Sequence, residues 1–587
     1  MTAKNTPMPK PKSAAVAAAK AGAAIKPSAK TNIKTPTQPP APSGQGCRNL
    51  ILILGDQLDA DSSALDGIDA QHDVVLMVEA FDESRHVWSH KIRTTLFLSA
   101  MRHYAASLQA RGLRVDYRAL DTHGDTSLAD GLTSAVHEHQ PHALIGVEPG
   151  DMRVRHALEY AINNIAARAG STASNAENTV KKASKVASVG KQAASSPLRI
   201  DWREDHHFLC SLPAFRKWAG TSKSLRMEFF YRQMRQQYKI LMDGKEPAGG
   251  QWNFDADNRK SFGKAGPQDV PKPLVFKPDA ITQDVIKLVN NHFADHPGHL
   301  DKFNWPTTRT EALRALKDFI DNRLPQFGPH EDAMWTNLEF GWHSLLSSSL
   351  NLKLLNPLEV VQAAEQAYAK KGLDLASVEG FIRQILGWRE FMRGVYFLDM
   401  PELKTTNHYD HQNSLPKWYW TGDTRMNCMK NCITQTLDNG YSHHIQRLMI
   451  TGMFGVTAQI NPQQMCDWYL AVYVDAVEWA ELPNVAGMAL FANGGRFTSK
   501  PYVASGAYVK RMSNYCTGCV YTPETRTGDT ACPMTTLYWN FLDKHEASFA
   551  GNPRTALMVK NLQRMTDDER LQVRKTAARM LGDLDAL

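Results

Sequence analysis

The chain has 587 residues, enough for two or three domains around a large buried core. With 43% hydrophobic and 22% charged residues it has the balance of a globular protein, and apolar runs such as Leu50–Leu54 are far too short to span a bilayer. The net charge of +7 suggests nucleic acid, but residues 1–46 hold seven lysines and no acid, and residues 170–197 hold four lysines and one glutamate. Taking away those seven charges and the second stretch's net three leaves −3, so a DNA-binding surface must be a local patch.

Residues 1–46, rich in Ala, Lys and Pro, carry too little apolar surface to offset chain entropy and are expected to form a disordered cationic arm. They contain no arginine, which argues against a transit peptide, and no secretory signal with an apolar core. The expected location is the cytoplasm, associated with the nucleoid. There, eight cysteines read as metal ligands or buried thiols rather than disulfides.

From residue 47 to about 210, short apolar runs alternate with amphipathic stretches. Leu50–Leu54 reads as a buried strand followed by the turn Gly55-Asp56-Gln57, and Val74–Val78 as a second strand. Lys91–Ala110 is a predicted helix, with Ile92, Leu96, Ala100, Tyr104 and Leu108 at i,i+4 spacing and Gly112 as its stop. Further strands are predicted at Val115–Leu120, Leu144–Val147 and Leu198–Asp201. This alternation implies a doubly wound parallel α/β sheet, whose ligands sit beyond the strands' carboxyl ends, here near Gly55–Gln57 and Val78–Glu83. The Ala/Ser/Lys-rich stretch 170–197 reads as a solvated insertion. Residues 211–275 read as a connector, and 276–587 as an all-α domain.

Cys516-Thr-Gly-Cys519 followed by Cys532-Pro533 places three cysteines within seventeen residues. A closed zinc site made of cysteines alone, or a 4Fe–4S cluster, needs four thiolates, and the fourth must come from Cys47, Cys210, Cys428, Cys432 or Cys466. Spacing does not choose between the metals, although a final Cys-Pro leans toward iron–sulfur.

Three runs then carry a family likeness: Tyr441-Ser-His443-His444-Ile-Gln-Arg447, Asp475-Ala-Val-Glu-Trp479-Ala-Glu481, and Ser513 through Cys519 to Cys532-Pro533. With Leu52–Leu58, Leu225–Arg232 and Gly387–Glu390, they resemble the iron–sulfur branch of the photolyase/cryptochrome superfamily, nearest to the bacterial (6-4) photolyases. The resemblance implies an α/β antenna domain followed by an all-α domain that binds FAD and a 4Fe–4S cluster. It selects Cys428 as the fourth ligand beside Cys516, Cys519 and Cys532, so the cluster region spans 428–532. It implies light-dependent repair of (6-4) photoproducts in UV-damaged DNA by a monomer, with a blue-light photoreceptor of the cryptochrome type as the alternative.

The same resemblance distributes roles over residues. His443 and His444, on an apolar helical segment, would deliver the proton that (6-4) repair needs, a task suited to histidine. Arg447 and Asp475 resemble the family's ion pair beside the isoalloxazine, and Glu481 stands where many relatives carry an asparagine facing flavin N5. Ser344 and Ser347 would bond the flavin pyrophosphate, and Trp388 and Arg389 would line the flavin pocket. Trp468 and Trp420 resemble the electron-relay tryptophans. Asp56 and Glu83 would hold a 6,7-dimethyl-8-ribityllumazine antenna, with Phe97 as its apolar wall. Arg226, Arg232 and Arg235, and separately Lys510 and Arg511, are candidates for DNA phosphates.

Overall fold

Five strands, β1 (Asn49–Leu52), β2 (Val74–Val78), β3 (Val115–Arg118), β4 (Ala143–Val147) and β5 (Ile200–Arg203), form one sheet in the order β3-β2-β1-β4-β5. Every neighbouring pair is parallel. In this computed structural model, residues 46–587 are described apart from residue 124 and residues 181–197, so the expected disordered arm, all but Gly46, lies outside the described residues. All five residues of β2, Val-Val-Leu-Met-Val, are buried, as a parallel strand covered on both faces requires. The period of two sorts the sheet's side chains: Ile51, Val75 and Met77 enter one core, while Leu50, Leu52, Val74 and Leu76 enter another on the opposite face.

Helix α1 (Phe81–Arg85) follows β2, and α2 (Lys91–Ala110) buries Ile92, Leu96, Ala100, Tyr104 and Leu108 as their spacing predicts. The chain leaves α2 through Gly112 at φ +82°, where a side chain would be strained. Helices α3 (Leu128–His139) and α4 (Met152–Val180) cover the other face through Leu132, Val136, Val154 and Leu158. A capping box of Ser127 and Asp130 starts α3. Helix α4 runs on to Val180, into the stretch expected to be a solvated insertion, and 181–197 lie outside the described residues. The last strand falls at Ile200–Arg203 rather than Leu198–Asp201.

Past β5 the regular elements among the described residues are helices, joined by loops, except for a two-residue ladder, Met242–Asp243 with Glu246–Pro247. Residues 46–587 form a single unit. The seam between its α/β and helical parts is held by main-chain bonds. Leu58 N–H donates to Leu352 O at 3.0 Å and His90 N–H to Ala471 O at 2.8 Å. His90 Nδ1 accepts from Ile92 N–H, which leaves Nε2–H to donate to Leu437 O at 2.8 Å. Arg93 Nε adds a bond to Ala476 O at 3.1 Å. No helix among the described residues is long and apolar enough to cross a membrane.

Candidate active site

His443 and His444 straddle a helix start instead of lying inside one, as the sequence had suggested. His443 caps the short helix His444–Gln446, its N–H donating to Gln446 Oε1 at 3.0 Å. Its buried ring stacks on buried His343, centroids 4.4 Å apart and planes 14° apart. His444 stands edge-on to both rings, at 5.6 and 6.0 Å, with 49% of its side chain exposed. One ring nitrogen from each of the three lies within 4.8 Å of the others. Buried His343 Nε2 and His443 Nδ1 have no hydrogen-bond partner among the described residues, which leaves unmet bonding capacity at the site.

Electrostatics divide the three. Burial, with positive neighbours, holds the His343 and His443 imidazoles neutral, well below the usual histidine range. Desolvation works against a charge on His444 too, but Asp332 Oδ1 at 3.4 Å and nearby Glu331 outweigh it and raise its pKa. Of the three, His444 is therefore the imidazole whose surroundings favour the protonated form. Glu331, itself buried, is pushed up to about 7.

Arg447, one turn after the pair, bonds two buried acids with one guanidinium. It meets Asp475 at 3.0 and 3.2 Å and Glu481 at 3.2 Å, and its Nε donates to Ser442 O at 2.7 Å. Its guanidinium lies 3.7 Å from the Tyr473 ring centroid. Burial pushes Glu481 up to about 7, with Arg447 pulling it down and Asp475 pushing it further up, so this acid titrates near neutrality. The loop His343–Asn351 closes on the same group. Ser347 Oγ donates to Asp475 Oδ2 at 2.6 Å and Asn351 Nδ2 to Asp475 O at 2.8 Å. Ser347 is thus spent on the ion pair, and Ser344 Oγ accepts from Leu346 N–H at 3.4 Å. The buried hydroxyls of Ser348 and Ser349 have no partner among the described residues. Arg389 spans Phe208 and Trp479, 4.2 and 5.2 Å from their centroids, while Trp388 packs on Phe391.

Cys428, Cys516, Cys519 and Cys532 line one cavity with Met426, Val509, Tyr515, Tyr521 and Met534. Cys428 lies on the helix Asn427–Asn439; Cys432, a turn later, interacts with Tyr515 and Gln446 and does not line it. Cys532 caps the helix Pro533–Lys544, whose first backbone N–H groups favour a thiolate against the burial that raises its pKa. A tetrahedral zinc with Zn–S near 2.3 Å would bring its sulfurs within about 3.8 Å of one another. Among the described residues, two groups of three ligating atoms lie within 4.8 Å of one another, and neither contains a cysteine.

At the carboxyl ends of the strands, Asp56 follows β1, Glu83 lies in α1 and Gly150–Arg153 follow β4. Because β1 and β4 flank the point where strand order reverses, these loops frame the crevice in which doubly wound sheets bind ligands. Arg153 takes Glu83 in two bonds, at 3.0 and 2.9 Å, and Asp151 at 3.0 Å. A Cβ on Gly150 would lie 2.6 Å from Trp479 Cδ1 and 3.1 Å from Asp56 Oδ2, so only glycine lets the two parts approach this closely. Burial raises the Asp56 carboxyl although Lys353 opposes it. Half-buried Phe97 lies under the Arg93 guanidinium, 4.9 Å from its centroid.

A family model described as "Deoxyribodipyrimidine photo-lyase-related protein" matches residues 51–178 and 176–305. A (6-4) photolyase of Agrobacterium fabrum is 44% identical over 538 residues, covering 91% of this chain and 99% of that protein. The chain belongs to the photolyase family. An uncharacterized protein of Acanthamoeba polyphaga mimivirus is 29% identical over 136 residues, 23% of this chain and all of that protein. Among solved structures, a bacterial class III photolyase from Agrobacterium tumefaciens matches at TM-score 0.49 and 16% identity, over 80% of this chain and 87% of its own. A Synechocystis cryptochrome matches at TM-score 0.47 and 12% identity, over 76% and 83%.

For a photolyase-family chain, the structure joins several of the expected residues and separates others. It joins His443, His444, Arg447, Asp475, Glu481 and Ser347 into one site. It corrects Arg235, expected to be exposed for DNA: the side chain is buried, donating to Ile240 O at 3.3 Å, Trp252 O at 2.9 Å and Leu241 O. Arg226 and Arg232 are half-buried, Arg232 paired with Glu228 at 3.0 Å; Lys510 and Arg511 are exposed, Lys510 paired with Glu524 at 2.6 Å. Sequence reasoning missed His343 as a third imidazole and Asp332 as the acid that charges His444. The only signal for His343 was its place at the head of the serine-rich loop.

Proposed function

We propose that this chain is a light-dependent (6-4) photolyase. The observation that carries the reading is a half-exposed imidazole, His444, whose pKa Asp332 raises, set against two buried ones that each have a ring nitrogen without a hydrogen-bond partner, all next to the Arg447 ion pair. FAD, the cofactor the family implies, supplies an electron to the lesion when reduced and excited by blue light. Everything else falls to the chain's own side chains. Arg447, Asp475 and Ser347 hold the flavin site as one hydrogen-bonded unit, and Ser344, Ser348, Ser349, Trp388 and Arg389 offer further contacts. Glu481 holds or releases a proton near neutrality. A flipped lesion reaches the pocket at lower cost than a normal base because its stacking is already disturbed. Unlike a cyclobutane dimer, a (6-4) lesion must also return a hydroxyl or amino group between its bases, and His444 gives the proton at that atom. Neutral His343 and His443 bond the lesion through the nitrogens left free. Arg226, Arg232, Lys510 and Arg511 would hold phosphates. Repair of a defined (6-4) oligonucleotide under blue light tests the reading, and a flavin-loaded chain that does not repair belongs among the photoreceptors. The division 47–210, 211–275 and 276–587 goes with this proposal, as do a monomeric state and a place at the nucleoid.

The donor set around Cys428, Cys516, Cys519 and Cys532 fits a 4Fe–4S cluster better than one zinc. The thiols share a cavity without any three closing to within 4.8 Å, and Cys532 precedes a proline. Protein made in iron-replete medium is expected to carry about four irons and little zinc by elemental analysis. Stoichiometric zinc would overturn the assignment. Cys519→Ala should yield insoluble or flavin-poor protein, because a closed metal site contributes directly to folding.

Asp56 and Glu83, beside the strand-order reversal, support a lumazine antenna there. Glu83→Ala should lower lumazine content in the purified protein while FAD stays bound, read from the absorption spectrum. Loss of FAD with the lumazine retained would invert the domain roles.

A further inference from the structure

The electron relay that the family resemblance implies through Trp468 and Trp420 meets one more indole, contributed by the α/β part of the chain. Trp88 and Trp420 pack with ring centroids 5.0 Å apart and planes at 53°, and both rings are half-buried. Trp468 is fully buried, and its Nε1–H donates to Tyr419 O at 2.9 Å, the residue before Trp420. The segment that carries Trp88 is pinned to the helix that carries Trp468, Pro462–Val472, by the His90 N–H bond to Ala471 O at 2.8 Å. Arg93 fastens the same segment to Ala476 O, and Val87 lies in the core shared by Trp468 and Tyr419. The two exposed-side indoles are therefore held in register with the buried one by rigid contacts on both flanks.

Other aromatic contacts of Trp468 lead to residues inside the protein: Tyr469 and Tyr473, at 5.2 and 5.8 Å, are buried. Tyr419 stacks on Trp418, centroids 4.7 Å apart and planes 20° apart, but Trp418 is 2% exposed and its Nε1–H is committed to Leu584 O at 2.8 Å. A positive charge arriving there has neither water to take a proton nor a route to a soluble donor. At Trp420 it meets a contacting indole, which shares the charge and lowers the energy of the oxidised pair, at a surface where both needs are met.

We propose that Trp88 is the terminal donor of this relay, the residue at which the oxidising equivalent reaches solvent. Photoexcited oxidised flavin is the primary oxidant, acting through Trp468 and Trp420. In the last internal step one electron passes from the Trp88 indole to the Trp420 radical cation. Trp420 is restored and Trp88 becomes the radical cation. It loses its N–H proton to water, and a soluble thiol returns one electron and one proton. Trp88 thus makes the α/β part a participant in photoreduction as well as in light harvesting.

This inference rests on the relay reading of Trp468 and Trp420, and the test separates the two. Trp88→Phe keeps an aromatic ring against Trp420 but is far harder to oxidise. In flavin-loaded protein, transient absorption after a blue pulse should show the tryptophanyl radical decaying several-fold faster than in wild type, with a matching fall in photoreduction yield in thiol buffer. Trp88→Tyr should change the long-lived spectrum from tryptophanyl to tyrosyl, a signature that a packing defect cannot produce. A wild-type radical spectrum and lifetime in both variants, with Trp468→Phe abolishing the signal, would overturn the role of Trp88 alone. An undiminished signal in Trp468→Phe would overturn the relay, and this inference with it.

Discussion

His444→Ala lowers the rate of (6-4) repair under saturating blue light by about 10²–10⁴-fold, the usual cost of losing a general acid. Flavin content and photoreduction should stay close to wild type, because electron transfer needs proximity and not a proton at the lesion. The pH profile gives a sharper version. Asp332, 3.4 Å away, and Glu331 raise the His444 pKa against desolvation. Repair should then fall as pH rises through that raised value. Asp332→Asn removes an acceptor charge, lowers the His444 pKa and moves the alkaline limb to lower pH. A profile that stays in place would detach Asp332 from the proton donor. His443→Ala should act differently. Its imidazole is neutral and buried, with Nδ1 unpartnered, so the variant should lose lesion affinity before it loses the proton.

Arg447→Met should be the most destabilising single change at the site, costing about 3–5 kcal/mol, as expected when one partner of a buried pair is removed. It leaves Asp475 and Glu481 buried, with the charge that joined them gone. Two like carboxylates in one pocket cannot both ionise cheaply, so at least one keeps its proton to a higher pH than Glu481 does now, about 7. The sign follows. Acids whose folded pKa lies above the unfolded value stabilise the fold at low pH and lose that contribution as pH rises. The deficit against wild type should therefore be small in the acid range and grow through neutrality. Urea unfolding at several pH values, with bound flavin read by absorbance, measures it. A pH-independent deficit would place the effect in lost packing on Tyr473 instead.

How much of this was readable in the sequence depends on what kind of information each feature needs. Strand β2 and helix α2 lie where periodicity put them because burial on one side or both writes itself into residue spacing. The doubly wound sheet followed from the same signal. The partnership of Arg447 with Asp475 and the place of Glu481 came from motif likeness, and their geometry could not have come from spacing, since 28 and 34 residues separate the partners. Arg235 shows the limit most clearly. Read beside Arg226 and Arg232 on an amphipathic helix, it looks exposed, yet the chain turns back after the helix Met227–Tyr238, with Lys239 and Leu241 at φ +56° and +50°. That turn folds carbonyls over the guanidinium. The proton donor was unresolved for a similar reason: nothing local to His443-His444 reports Asp332, more than a hundred residues earlier. Ser347 is a phosphate ligand by resemblance to the family's flavin-phosphate loop, whereas its hydroxyl goes to Asp475.

In the proposed mechanism this chain repairs (6-4) photoproducts with His444 as the proton donor. The most direct test is continuous blue-light illumination of an oligonucleotide carrying one defined (6-4) lesion, with reduced, flavin-loaded protein and chromatography of the strand. Restored strand is expected with wild type and almost none with His444→Ala at equal flavin content. No repair by wild type with its flavin intact and reduced, or undiminished repair by His444→Ala, would contradict this mechanism.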